Sequence, residues 1–206
     1  MVLSIPKVKN FALPNQGKNH LWEKMSWRIL TQGGGRKSPY LTKIKVLYSS
    51  TGIYFLIKCE DKKINSTFRN DFQPLYQEDV VEIFLQPNEK FPIYIEYEIS
   101  PKGHELPLLI INNYGKFSGW MPWNYSARKK IKKFVSISES NWLVEIFMPF
   151  IFLKGFKNIP PEKGNHWKAN INRIDYDKFP RAKWALFPEV KGKFHSFENF
   201  GIFKFN

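Results

Sequence analysis

The chain has 206 residues, of which 43% are hydrophobic and 17% aromatic, and its formal net charge is +14. This apolar content excludes intrinsic disorder, and the length fits one domain over residues 1–206. No stretch approaches about 18 consecutive apolar residues, which excludes a membrane-spanning helix. A helical period is almost absent. Short runs rich in Val, Ile, Tyr and Phe recur instead, separated by Gly, Pro, Asn and Asp, as is typical of β-strands and turns.

Nine strands are predicted in chain order: Lys43–Tyr48, Ile53–Cys59, Asp79–Gln86, Ile93–Ile99, Leu106–Asn112, Ile131–Ile137, Trp142–Met148, His166–Ile174 and Gly201–Phe205. Turn residues at 49–52, 87–90 and 100–103 separate neighbouring strands and predict hairpins. Pro149 predicts one helical turn over Met148–Leu153, because proline is favoured at a first helical position. Short strands at regular spacing predict an all-β fold with little helix, an antiparallel β-sandwich of jelly-roll-like type.

The tetrapeptide Val-Glu-Ile-Phe occurs twice, and each copy lies in a predicted strand. Alternation places Glu82 on the same face as Val80 and Phe84, and Glu145 on the same face as Phe147. A carboxylate is costly to bury without a partner. Each glutamate is therefore predicted to bind a ligand or to satisfy a buried cation or hydrogen-bond network.

The positive charge makes nucleic acid a partner to consider. Most lysines are scattered, however, and the one dense run comprises Arg128, Lys129, Lys130, Lys132 and Lys133. Interleaved apolar residues favour a solvated strand face over a nucleic-acid site there. The single cysteine, Cys59, excludes an internal disulfide and is predicted to be a small buried hydrophobe.

Three short patterns have ordinary explanations. Gly33-Gly34-Gly35 lacks the lysine and helix of a phosphate-binding loop and predicts a surface loop. The glycosylation sequons at Asn65 and Asn124 are meaningful only in a secreted eukaryotic protein. The first residues lack the apolar stretch of about 7–15 residues found in signal peptides, which predicts a cytoplasmic protein unless a signal was removed.

Several aromatic residues lie in polar, loop-like contexts, namely Tyr76, Trp120, Trp123 and Trp184. Exposed flat rings stack on the apolar face of a sugar, while carboxylates, amides and guanidinium groups bind its hydroxyls. Asn172 and Arg173 are suited by type to that second role. Alternation places them on opposite faces of one predicted strand.

In the order of its blocks, the chain resembles the family 9 carbohydrate-binding modules and the looser family-9-like domains. The blocks are Thr42–Tyr48, Gly52–Asp61, Glu78–Leu85, Tyr94–Gly103, Trp142–Phe150, Trp167–Arg173, Trp184 and Phe194–Phe205. Together they cover roughly residues 20–206. The resemblance implies a β-sandwich that binds glycan chain ends between two aromatic rings and is commonly supported by calcium.

The resemblance also implies particular residues. Tyr76 takes the position of one clamp aromatic, where the family has a tryptophan, and Glu82 takes that of a hydroxyl-binding carboxylate. Trp184 is the candidate second ring, with Arg173 and Asn172 as polar contacts. The candidate calcium ligands are Glu60, Asp61 and Asp71, with Asp175 and Asp177 as further acids; ordinary loop carboxylates remain an equal alternative because no EF-hand spacing is present.

The leading hypothesis is a non-catalytic, lectin-like carbohydrate-binding domain that functions in carbohydrate catabolism. Three alternatives remain open: a haem-binding sandwich using Met and His, a basic nucleic-acid-binding protein, and a glycoside hydrolase using Glu82 and Glu145. No nucleophile elbow or transition-metal motif is visible, so a binding module is favoured over an enzyme.

Overall fold

The structure is a computed structural model, and it describes residues 1–33, 37–113, 116–123, 130–177, 181–188 and 193–206. The described part of the chain is almost entirely β-structure. Its strands are β1 Val2–Ile5, β2 Arg28–Ile29, β3 Thr42–Tyr48, β4 Gly52–Glu60, β5 Val80–Gln86, β6 Ile93–Ile99, β7 Glu105–Asn113, β8 Lys116–Pro122, β9 Lys132–Ser138, β10 Asn141–Pro149, β11 His166–Asp175, β12 Ala182–Ala185 and β13 Gly201–Phe205. Short 3₁₀ turns lie at His20–Lys24, Leu75–Gln77, Phe150–Leu153 and Phe197–Asn199.

The strands form two sheets. The larger has eight strands in the order β1-β13-β11-β5-β6-β7-β8, with β12 also paired to β11, and the smaller has the order β2-β3-β4-β10-β9. All pairings between these strands are antiparallel except that of β1 with β13, which is parallel. The predicted antiparallel β-sandwich is therefore confirmed.

The main core lies between the two sheets. Alternation directs Val81, Ile83 and Leu85 of β5 inward, where they join Val144 and Ile146 of β10 in one buried cluster. Cys59 is fully buried there, as predicted, and burial raises the pKa of its thiol to about 12.

A second apolar cluster covers the outer face of the larger sheet. It contains Phe84 of β5, Tyr94 of β6 and Leu108 of β7, which pack under Phe194 and Phe200. The chain segment before β13 thus crosses this outer face and shields it from solvent. A sheet face covered in this way can bury polar side chains that alternation alone would expose.

Each of the nine predicted strands is present, with ends within one residue of those predicted. The predicted helical turn is the 3₁₀ turn Phe150–Leu153, which Pro149 precedes. The prediction missed β1, β2, β8 and β12. The first two and the last are short, and β8 contains Gly119 and exposes most of its side chains.

The helical segments of the described residues are short 3₁₀ turns, and none could span a membrane. Gly34, Gly35, Asn124, Arg128 and Lys129 lie outside the described residues. Of the remaining basic run, Lys133 on β9 forms ion pairs with Asp71 at 3.1 Å and Glu105 at 3.2 Å.

Candidate functional site

A cavity of about 710 Å³ opens on the outer face of the larger sheet. Strands β5 to β8 form its floor and one wall, the 3₁₀ turn that holds Tyr76 forms another, and residues 193–196 close it above. Its lining combines acidic, basic and aromatic side chains: Tyr76, Glu82, Glu96, Glu98, Leu108, Ile110, Phe117, Trp120, Ile174, Arg181, Lys183, Lys193, Phe194, His195 and Ser196.

Strand alternation and register explain why three glutamates meet on the floor. Glu82 of β5 lies directly opposite Glu98 of β6, and Glu96 follows on the same face of β6 two residues earlier. One carboxylate oxygen from each lies within 4.8 Å of the others, and all three side chains are buried. The result is a compact cluster of carboxyl groups, called here the floor cluster.

The environment of the floor cluster favours protonated carboxyls. Burial raises the pKa of Glu82 to about 7, against the opposing effects of Lys183, Arg181 and the Asn172 amide. Burial and the neighbouring glutamates raise the pKa values of Glu96 and Glu98 well above the usual range. Like charges held this close cannot all ionise freely.

His195 caps the cluster as a neutral group. Its Nδ1 lies 2.8 Å from the Tyr94 hydroxyl and 3.9 Å from Oε2 of Glu96. Partial burial and the positive charge of Lys183 lower its pKa to about 4. At neutral pH the imidazole therefore contributes hydrogen bonding and contact area rather than charge.

Exposed aromatic rings stand at the mouth of the cavity. Trp120 and Phe117 of β8 are 48% and 47% exposed, and Tyr76 is partly exposed. The Phe117 ring centre lies 4.9 Å from that of His195. Flat apolar rings beside charged and neutral hydrogen-bonding groups suit a ligand that has both an apolar face and many hydroxyls.

Two predicted site residues, Tyr76 and Glu82, do line this cavity. Asn172 lies beside it, because it is the register partner of Glu82 on β11. Its side chain is buried beneath the cavity, and its amide faces the Glu82 carboxyl. Arg181, which immediately precedes β12, supplies a guanidinium group to the cavity wall.

The structure does not bring Trp184 and Arg173 to the cavity, which corrects the expectation for both. They are register partners on β12 and β11 and face the inter-sheet core. Trp184 is 1% exposed, so its ring has no face for a ligand. Its polar sequence neighbours suggested an exposed position, but the pairing of β12 with β11 buries it.

Arg173 instead organises a buried ionic cluster behind the site. Its Nη2 donates to Asp175 at 2.9 Å and to Asp61 at 3.0 Å, and its Nη1 donates to the Thr42 hydroxyl and the Glu60 carbonyl. The guanidinium also stacks over the Trp184 ring. These contacts hold the ends of β3, β4 and β11 together.

The three expected calcium ligands do not converge. Oε2 of Glu60 accepts a hydrogen bond from the Leu41 amide, and Asp71 pairs with Lys133. Asp61 instead meets Asp79 and Asp175, with one oxygen of each within 4.8 Å of the others. This set and the floor cluster are the two acidic groups of the described residues whose geometry could hold a metal.

The Asp61 cluster already has its positive charge from Arg173, which bonds two of its three members. Asp79, the third, accepts hydrogen bonds from the backbone amides of Asn65 and Tyr176. Its pKa is nevertheless raised to about 7, because burial outweighs those bonds. A calcium ion would have to share Asp61 and Asp175 with the guanidinium, which makes this set a poor match for the six to eight oxygen ligands that calcium takes.

Glu145 satisfies a hydrogen-bond network, which is one of the two roles predicted for it from the sequence. It lies on β10 of the smaller sheet, and its carboxylate accepts hydrogen bonds from the backbone amides of Asn15, Gln16 and Gly17 at 2.9–3.2 Å. It anchors the N-terminal segment. Glu82 points outward from the larger sheet and Glu145 outward from the smaller one, so the two glutamates do not form the facing pair that a glycoside hydrolase needs.

The sequence-based prediction missed Glu96, Glu98, Phe117, Lys183 and His195. The residue pattern of β6 could have identified Glu96 and Glu98. They alternate with Tyr97 and follow Ile95 in an otherwise apolar strand, the same pattern that drew attention to Glu82. Trp120 was recognised as an aromatic residue in a polar context but was not assigned to the site.

Comparisons with known proteins agree with this fold. A family model described as carbohydrate family 9 binding domain-like matches residues 17–202. A family 9 carbohydrate-binding module from Caldicellulosiruptor kristjanssonii in complex with glucose has a TM-score of 0.68 at 16% identity, covering 100% of this chain and 96% of that one. The cellotriose complex gives the same TM-score and identity, with 94% of that chain covered.

A structure from Bacteroides uniformis ATCC 8492, provisionally assigned as a carbohydrate-binding protein, has a TM-score of 0.80 at 16% identity, covering 100% of this chain and 99% of that one. No curated protein sequence matches the chain. At 16% identity, similarity to these solved structures shows the fold and nothing about the ligand.

Proposed function

The chain belongs to the carbohydrate family 9 binding domain-like proteins, and we propose that it is a single, non-catalytic domain that binds a mono- or oligosaccharide end in the cavity on its larger sheet. The observation that carries this proposal is the meeting of exposed rings and buried carboxyls in one cavity. Tyr76 and Trp120 stand at its mouth, and Glu82 lies on its floor.

The two rings would contact the apolar face of a sugar. Trp120 is nearly half exposed and offers the larger surface, while Tyr76 is the smaller ring that the family resemblance implies as one clamp aromatic. Burying such rings against a ligand recovers hydrophobic area as well as stacking energy. Trp120 therefore replaces Trp184 as the proposed second ring.

The polar groups would bind the hydroxyls. A protonated carboxyl donates one hydrogen bond and accepts others, and the raised pKa of Glu82 keeps both forms accessible near neutral pH. Arg181 supplies donors from the wall, as Arg173 was expected to do. Asn172 would orient Glu82 from below, since the two residues face each other across the strands.

Calcium has no part in the proposed binding step. The Asp61 cluster would be the place for a structural ion on its oxygen ligands, but Arg173 already pairs with two of its three carboxylates. We therefore propose that the fold is held there by the guanidinium rather than by a divalent cation.

The direct test is calorimetric titration of the chain with glucose and cellotriose, the sugars present in the two related complexes. Binding is expected, with Tyr76→Phe retaining most of the affinity and Tyr76→Ala losing it, because phenylalanine keeps the ring face. Tyr48→Phe is the matched control, since Tyr48 is buried away from the cavity. Equal affinity for Tyr76→Ala and wild type would reject the assigned ring.

A further inference from the structure

The floor cluster brings together more carboxyl groups than a neutral sugar requires. Its three carboxyls are 0–3% exposed, and one oxygen of each lies within 4.8 Å of the others. A buried carboxylate is stable only when it is paired with a cation or protonated. The cluster must therefore either keep protons or receive a positive charge from outside.

Two basic side chains of the wall act on one end of the cluster. Lys183 and Arg181 are the cations that act on Glu82. The electrostatic neighbours of Glu96 are Glu82 and Glu98, and His195 beside it is neutral at pH 7. The Glu96–Glu98 end is consequently where a further positive charge would be most strongly attracted.

A second observation points to a ligand at the same place. Asn172 is 0% exposed, and its amide nitrogen faces the Glu82 carboxyl, whereas its amide oxygen has no hydrogen-bond partner among the described residues. Glu98 is also 0% exposed, and its carboxyl group lies against the Glu96 carboxyl and the backbone of Tyr76. Asn172 is the register partner of Glu82, which is in turn the partner of Glu98. Unsatisfied buried polar groups of this kind are costly and call for an explanation.

We propose that the cavity selects a sugar that carries a protonated amine, with the ammonium group placed on Glu96 and Glu98. This inference rests on the proposed function and specifies its ligand class. An ammonium has three donors and no acceptor, which matches a cluster of carboxylate oxygens better than a hydroxyl does. The same sugar ring would still stack on Trp120 and Tyr76 at the mouth.

Selectivity follows from charge. A neutral sugar gives the cluster no positive charge, so it must bind to protonated carboxyls. An N-acetylated amino sugar has lost the charge and adds bulk at the same position. Each charge-assisted hydrogen bond that is lost reduces affinity by about tenfold or more.

The experiment is calorimetric titration of the full chain with glucosamine, glucose and N-acetylglucosamine at pH 6.5. Glucosamine is expected to bind at least about tenfold more tightly than either neutral sugar. Equal affinities would overturn the inference while leaving carbohydrate binding intact. Failure of every sugar to bind would instead reject the proposed function itself.

Two variants with opposite expectations separate recognition from damage to the fold. Glu98→Gln keeps the shape but removes one charge, and should abolish the preference for glucosamine. Lys183→Gln removes a repelling cation from the wall and should increase it. Unfolding the site would weaken binding in both variants, and an unchanged preference in Glu98→Gln would contradict the inference.

A calcium titration without sugar distinguishes an ammonium site from a metal site. Calcium is expected to bind weakly, since three carboxylates shared with Lys183 and Arg181 do not supply the six to eight oxygens that this ion takes. Tight calcium binding that is lost in Glu98→Gln, without any preference for glucosamine, would overturn the proposal in favour of a metal.

Discussion

The guanidinium carbon of Arg173 lies 4.9 Å from the centre of the Trp184 ring, and both side chains are shielded from solvent between the sheets. The two residues are register partners on adjacent strands. Residues expected from the sequence to bind a ligand thus brace the sandwich instead. The cavity proposed to bind the ligand lies on the other face of the same sheet.

Replacing Arg173 should destabilise the protein. Arg173→Gln leaves Asp61 and Asp175 buried without their cation, and breaking one side of a buried ion pair costs about 3–5 kcal/mol. Urea unfolding measures this loss. Arg69→Gln, at an exposed position, should change stability by less than about 0.5 kcal/mol. A loss in Arg173→Gln no larger than in this control would contradict the bracing role.

Glu145→Gln should also lower stability, although it removes no ion pair. The carboxylate accepts hydrogen bonds from three consecutive backbone amides, and the amide of glutamine can offer them only one acceptor atom. A loss of about 1–3 kcal/mol is expected for the unsatisfied donors. The readout is again urea unfolding, together with faster proteolysis of residues 10–20. An unchanged midpoint would show that this anchor is dispensable.

Sequence reasoning succeeded where a pattern is local. The strands were predictable because alternation and turn residues lie within each segment, as in Ile93–Ile99. The site was only partly predictable. The context of Trp184 is polar, and only its pairing with β11 reveals that it is buried. Glu96 and Glu98 look like solvent-facing acids until the segment bearing Phe194 and Phe200 folds over them. Such burial depends on contacts between residues far apart in the chain.

The raised pKa values of the floor cluster predict how stability changes with pH. A glutamate in the unfolded chain has a pKa of about 4.3, whereas that of Glu82 in the folded state is about 7. The folded state therefore binds more protons across this range, and stability falls as pH rises from 5 to 8. The pKa values of Glu96 and Glu98 are raised in the same direction.

The check is urea unfolding at pH 5, 6, 7 and 8, in wild type and in Glu96→Gln. Removing one titrating group should make the decline shallower, whereas Glu89→Gln, in an exposed turn, should leave it unchanged. Stability that rises with pH in the wild type would contradict the assigned direction of the shifts.

Chelation should have little effect on the fold. Because Arg173 supplies the positive charge of the Asp61 cluster, EDTA is expected to leave the melting temperature within about 1 °C of its value in calcium. Differential scanning calorimetry of dialysed protein, with and without added calcium, provides the comparison. A drop of several degrees in EDTA that calcium reverses would establish a structural ion and refute this expectation.

The most direct test of the central claim is calorimetric titration of sugar into the Trp120→Ala variant. Trp120 should supply stacking worth about 1–2 kcal/mol, so its removal should weaken binding at least about fivefold. Two controls should bind with unchanged affinity: Phe91→Ala, an exposed ring elsewhere, and Trp184→Phe, a core tryptophan. Loss of binding in Trp120→Ala alone is the predicted result. Unchanged affinity in Trp120→Ala together with loss in Trp184→Phe would contradict the assignment of the cavity as the carbohydrate site.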